Sequence, residues 1–266
     1  MTPLQLNLPE LALAALLIVA AAALSWALRL GLERTLLISA VRLVVQLVLV
    51  GLFLRQVFAL SSPWLTALVV AGMLGAATFE VGSRQRRRLA GFWHLGIGGG
   101  TVGAATLGIA LFALASSLRP QPWYDPRHAI PLVGIILGTS MNAASLALNQ
   151  VFASVTRERA AIEARLALGA DRYTALGGVL RRALYTGLIP TLNQMAAAGI
   201  ITLPGIMTGQ ILAGMDPLDA ARYQILLMFL LAAAGFATAL GAVWLSVWRL
   251  TDERDRLRLD RLRAED

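Results

Sequence analysis

RERAAIEARLALGADRYTALGGVLRR, residues 157–182, is a polar, arginine-rich stretch set between two long apolar runs. That alternation decides the fold class. The chain has 266 residues, of which 58% are hydrophobic and only 14% charged. A soluble domain of this length would carry more charge. Apolar runs recur along the chain, and a run of about 20 residues spans a ~30 Å hydrocarbon core as a helix. The sequence therefore predicts an all-α integral membrane protein, one transmembrane domain over residues 1–266, with residues 157–182 outside the lipid.

Seven spans are expected, at about 8–28, 35–56, 62–81, 93–116, 130–151, 184–213 and 223–248. The first has Glu10 at its flank rather than a positive n-region, so it reads as a retained helix. Every basic residue is arginine. Placing the N-terminus outside puts loops 29–34, 82–92 and 152–183 and the charged tail 249–266 in the cytoplasm. Those segments hold 18 arginines, the outer loops hold only Arg55, Arg119, Arg127 and Arg222, and Arg42 lies within a span. The bias runs the same way in every loop pair and sets the orientation. Trp123 and Tyr124 suit an outer interface. The sixth apolar segment, 184–213, would be roughly 45 Å long as a straight helix. It contains Pro190 and Pro204-Gly205, which predicts a tilted, kinked or broken helix.

Composition excludes several classes. There is no cysteine, so no disulfide and no thiolate metal site. Without lysine the chain lacks a Walker-type phosphate loop. Gly98-Gly99-Gly100-Thr101-Val102-Gly103 fits G-x-G-x-x-G, but it lies in an apolar span and reads as close helix packing. The net charge of +8 sits in loops, where topology or anionic lipid explains it better than nucleic acid.

The polar residues inside spans are the candidates for a solute path. Arg42, with Gln46 one turn later, is a costly mid-span charge that should face the bundle or a wet cavity. Glu80 is its natural partner candidate, or a surface residue beside Arg84. Asn142, Ser145 and Asn149 share one helical face, which either lines a pore or bonds a neighbouring helix. Asn193 reads the same way. Thr208 and Gln210 follow the Pro204-Gly205 break, where a cavity is expected. Met207 offers a thioether to a soft metal and Asp216 a carboxylate at the exit; with Glu80 these are the weak metal candidates. The commoner roles are gap-filling for methionine and turn-capping for Asp216.

Residues 157–176 are rich in Ala, Leu, Glu and Arg, which predicts a helix. Ile162, Leu166, Gly169, Ala170 and Tyr173 form its apolar stripe. Such a helix either docks a partner or lies on the membrane surface. Glu163-Ala164, four residues, then Gly169 resembles the coupling segment of ABC-transporter permeases, which seats on a separate ATPase.

The second half carries a more specific resemblance. Leu137–Asn142, Glu163–Ala170, Gly187–Asn193 and above all Leu203-Pro204-Gly205-Ile206-Met207-Thr208-Gly209-Gln210-Ile211-Leu212 resemble the FetB-type permease family. That family is associated with bacterial iron export and includes the plant aluminium-sensitivity and tolerance membrane subunits. Arg42 and Gln46 match a polar pair in its second span, whereas Ile206 stands where the family has methionine. The resemblance implies a non-enzymatic, multi-pass inner-membrane permease exporting a metal ion such as iron. It implies a homodimer served by a separate ATP-binding subunit, with ATP on that subunit and no cofactor on this chain. Glu163, Ala164, Gly169 and Ala170 would make the contact. The residues alone leave open a stand-alone channel, a secondary transporter or a membrane scaffold.

Overall fold

The computed structural model describes residues 7–60, 62–85 and 87–263; Arg86 and residues 264–266 of the expected tail lie outside them. Six helices among the described residues are long and apolar enough to cross a membrane. They are α1 (Leu8–Ala27), α2 (Glu33–Leu60), α3 (Pro63–Ser83), α4 (Trp93–Phe112, continued by a π-helical turn Ala113–Leu118), α5 (Pro126–Arg157) and α10 (Pro217–Leu250). Each overlaps an expected span, and α5 and α10 run up to six residues beyond the expected ends. Their starts follow local chemistry. Proline occupies the first turn of α3, α5 and α10, where a missing N–H costs nothing. The side chains of Asp125 and Asp216 cap α5 and α10.

The remaining expected span, 184–213, is broken. α8 (Gly177–Ala197) and α9 (Gly205–Leu212) flank a non-helical stretch at 198–204. Gly199 takes a left-handed φ of +82°, and Pro204 has no N–H to continue a helix. The freed groups are satisfied locally: the amides of Ile201 and Thr202 both reach the carbonyl of Ala197, and Gly199 donates to the carbonyl of Thr202. Pro190, by contrast, is absorbed inside α8.

The single helix expected at 157–176 also divides, into α6 (Arg159–Ala167) and α7 (Arg172–Ala175). Two short strands, β1 (Arg88–Leu89) and β2 (Leu262–Arg263), pair antiparallel.

The chain forms two compact units, met at residue 60. The first is the α1–α2 hairpin. Ser25 organises its turn: its hydroxyl donates to Glu33 at 3.0 Å and accepts from the amide of Leu32 at 3.0 Å. The second unit is built on α5 and α10, packed together and flanked by α8, α4 and α3. One buried cluster runs through Val81, Leu148, Phe152, Ile162, Leu176 and Val247. Another surrounds Leu132, Ile136, Leu227 and Leu231. The outer faces remain apolar, as at Phe229, Ile225 and Leu240, which is what a helix facing lipid requires.

Small residues set the spacing between helices. A Cβ on Gly99 would sit 2.2 Å from Thr78, so the G-x-G-x-x-G match is a packing seam between α3 and α4. A Cβ on Gly187 would lie 2.8 Å from the carbonyl oxygen of Ala143 and 3.1 Å from Ala147. α8 therefore rests directly on the backbone of α5. Gly187→Val should destabilise the protein by about 1–3 kcal/mol through overpacking. Gly100→Ala, with open space around it, should be neutral or slightly stabilising. Thermal unfolding of the two variants in detergent checks the contrast.

Candidate functional site

Residues 157–182 form a braced projection between α5 and α8. Glu158 closes α5 and accepts Arg182 of α8 through both carboxylate oxygens, at 2.7 and 2.6 Å, and Arg157 at 3.3 Å. Desolvation pushes the Glu158 carboxyl up, but these hydrogen bonds outweigh it and hold it below the ordinary value. Such a partly exposed pair contributes about 1 kcal/mol or less. It fixes where α6 leaves α5 more than it stabilises the fold. Ile162 is buried, and Leu166 and Tyr173 pack on the same core. Tyr173 also stacks on Trp244 of α10, with centroids 4.2 Å apart.

Gly169 explains why the predicted single helix breaks. At φ +90° its amide donates to the carbonyl of Leu166, and Ala170 donates to that of Arg165. This paired arrangement closes the C-terminus of α6 as a Schellman turn, for which a left-handed residue is needed. Asp171 then starts α7, accepting the amides of Tyr173 and Thr174. The Thr174 hydroxyl and amide hold the Asp171 carboxyl below its ordinary value. Arg165 ties the two helices by donating to the carbonyl of Ala175 at 3.1 Å. The outward residues include an apolar tip at Ala164, Ala167, Leu168 and Gly169, with Leu168 88% exposed, bordered by the exposed Arg159, Arg165 and Asp171. Glu163 sits beside this tip and pairs with Arg159 at 2.8 Å. Ala170 is half-buried.

The segment is held from a second direction. Beyond α10 the chain turns back through Asp252, which accepts the Arg254 and Arg256 amides and the Arg256 guanidinium. Asp255 forms an ion pair with Arg172 of α7. Leu257, Leu259 and Leu262 pack on the core, and β2 joins β1. Three of the arginine-rich segments assigned to one side of the membrane thus meet at one end of this unit.

The path candidates fall on several elements. Arg42 and Gln46 lie exposed on α2, in the first unit. Glu80 accepts Arg84 at 3.1 Å, its neighbour on the same helix face. The expected stripe on α5 splits: Asn142 is exposed, Ser145 is buried, and Asn149 is half-buried and donates to the carbonyl of Arg84 at 3.3 Å. Asn193 is exposed on α8. On α9, Met207, Thr208 and Gln210 are half-buried; Thr208 donates to the carbonyl of Pro204, and the Gln210 side-chain oxygen is buried without a hydrogen-bond partner among the described residues. Asp216 is engaged as the cap of α10. Among the described residues no three histidine or carboxylate groups come together as a metal would need.

A model of the family described as uncharacterised protein family UPF0014 matches residues 8–250. The chain belongs to the UPF0014 family. It is 41% identical over 211 residues to a UPF0014 membrane protein of Synechocystis, covering 78% of this chain and 79% of that protein. It is 32% identical to the probable iron export permease protein FetB of Escherichia coli, covering 96% of each chain. It is 30% identical to the protein ALUMINUM SENSITIVE 3 of Arabidopsis thaliana, covering 88% of this chain and 84% of that one. No solved structure matches. Relatives that are membrane proteins, with six membrane-length apolar helices here, make this UPF0014 protein a multi-pass membrane protein.

Two features escaped the sequence reading. Gln85 and Gln224 are buried, with side-chain oxygens lacking partners among the described residues. A glutamine next to an arginine cluster, or near the start of a long apolar helix, gives no signal of that burial. The folded tail was equally hidden. Gly169→Val should cost about 1–2 kcal/mol and expose residues 166–173 to protease, whereas Gly169→Asn, which tolerates the left-handed region, should cost less. Limited proteolysis reads both. The Asp252 carboxyl is lowered from 3.8 to about 2, chiefly by the Arg256 amide. Its bonding therefore holds the tail above pH 4 and is lost as pH falls toward 2. Amide exchange in residues 252–258 should rise over that window, and Asp252→Asn should remove the pH dependence.

Proposed function

We propose that this UPF0014 protein is the permease subunit of an ABC transporter, exporting a metal ion such as iron with energy from a separate ATP-binding subunit. The observation that carries the reading is the braced projection 157–182. An exposed leucine on a short helix pair, fixed by caps and ion pairs to two membrane helices, suits docking into a groove on a soluble partner. The name of the Escherichia coli relative supports the iron assignment. The arginine distribution supports the N-terminus outside with the projection and tail in the cytoplasm, and the inner membrane as location is what the family resemblance implies.

Two copies would act together. Asn142 and Asn193 are exposed on α5 and α8, and Arg42 and Gln46 on α2, all within the spans expected from the sequence. Polar groups facing lipid are costly, so a second copy is expected to cover them and to share the path. Thr208 and Gln210, past the break, are the residues we place at the moving part of that path. Glu80, Met207 and Asp216 remain the candidate contacts for a passing metal.

The test is co-purification of the chain with its ATP-binding subunit in lipid, followed by ATPase activity. Leu168→Asp or Glu163→Lys should release the partner or uncouple hydrolysis by tenfold or more, about 1.4 kcal/mol of lost contact, while membrane insertion stays normal. If no ATPase associates, or both variants behave as the parent, the docking reading fails and a self-contained channel, carrier or scaffold takes its place. Arg42→Ala should lower transport without loss of the protein from the membrane; its disappearance from the membrane would assign Arg42 to folding.

A further inference from the structure

At the end of α10 lies a cavity of about 530 Å³, separate from the exposed tip and from the path candidates. Its wall includes Arg172, Arg249, Arg254, Arg256 and Arg261, with Trp248. The carboxylates on the same wall are Asp252 and Glu253. Asp252 is paired with Arg256, and Arg172 is paired with Asp255. Arg249, Arg254 and Arg261 make no ion-pair contact among the described residues. Arg261 is locked by donating to the carbonyls of Arg249 and Thr251 at 2.7 and 3.2 Å. Arg249 lies 4.7 Å over the ring of Trp93, and its Nε is buried with no hydrogen-bond partner among the described residues. A buried guanidinium N–H without an acceptor is costly. Fixed, preorganised guanidinium forks suit a phosphoryl oxygen.

The surroundings indicate where the phosphoryl group comes from. Arg249 also lines a second, shallower hollow with Ala90, Gly91, Phe92, Trp93 and Gly96. Phe92 is 88% exposed, and Trp93 and Trp248 are about half exposed. This is an aromatic rim at the end of a membrane-length helix, the level at which lipid headgroups sit. We propose that the arginine cavity binds the phosphate of an anionic phospholipid, with its glycerol and acyl portion lying over Phe92 and Trp93. The phosphate supplies a counter-charge for Arg249 and Arg254, which have no ion-pair partner among the described residues. Because Arg172 belongs to both this wall and α7, occupancy also stiffens the link between the tail and the projection.

The experiment uses the full chain in neutral detergent, with phosphatidylglycerol, phosphatidylcholine or inorganic phosphate added. Native mass spectrometry reads bound lipid, and thermal unfolding reads stabilisation. Phosphatidylglycerol should be retained over phosphatidylcholine and should raise the unfolding temperature. Arg254→Gln changes a residue whose side chain makes no hydrogen bond among the described residues, its amide alone donating to Asp252, so the fold survives it. It should weaken that preference about fivefold, the effect of roughly 1 kcal/mol per interfacial arginine. Arg249→Gln should weaken it further. Arg181→Gln, removing an exposed arginine on α8 outside the cavity, should leave it unchanged. Equal retention of both lipids overturns the proposal, as does an equal loss with Arg181→Gln. Displacement of phosphatidylglycerol by inorganic phosphate, with equal stabilisation by phosphate alone, would reassign the cavity to a soluble phosphorylated ligand.

Discussion

Inside hydrocarbon a backbone N–H or C=O has no water to turn to, and the whole structure answers that constraint. Long uninterrupted helices are the default because they satisfy every group internally. The break at 198–204 survives because Ala197, Gly199, Ile201 and Thr202 exchange hydrogen bonds among themselves. The polar segments that cannot be satisfied this way are gathered at one end of the second unit. There the loop through β1, the α6–α7 pair and the tail through β2 can use arginine, aspartate and water.

The spans were legible in sequence because length and hydropathy are properties of contiguous residues. The interruption of 184–213 was legible only as a tilt, kink or break: Pro190 is carried within α8, whereas Pro204 follows the left-handed Gly199 and the helix stops before it. The misreading of 157–176 as one helix is more instructive. Helix propensity favours Ala, Leu, Glu and Arg on both sides of Gly169, but a single left-handed residue followed by a capping aspartate overrides the sum. The α5 stripe failed differently. Asn142, Ser145 and Asn149 do share an arc of the helix, yet the edge of the packed interface cuts through that arc and sends Ser145 inward. The pairing of Arg88 with Arg263 lies beyond any local pattern, since two-residue strands far apart in sequence have no periodicity to read.

The projection gains its definition mostly from directed main-chain contacts. Schellman and aspartate caps close its helices, one buried isoleucine anchors it, and the ion pairs at Glu158 and Asp255 set its direction. α5 and α8, the two helices that continue from it, approach closely at Gly187, where an added Cβ would meet the carbonyl oxygen of Ala143. Under the transport reading, a force on the tip would reach both helices as one body. The yielding point would then be the non-helical stretch that follows α8.

The tail that pairs with Arg172 and with β1 comes after the last membrane helix in the chain. During synthesis the projection therefore emerges well before the residues that clamp it. A nascent chain held at α10 presents α7 without Asp255 and β1 without its partner strand. The order of the chain thus separates the two halves of the clamp: α7 and β1 are made early, and what holds them in place is made last.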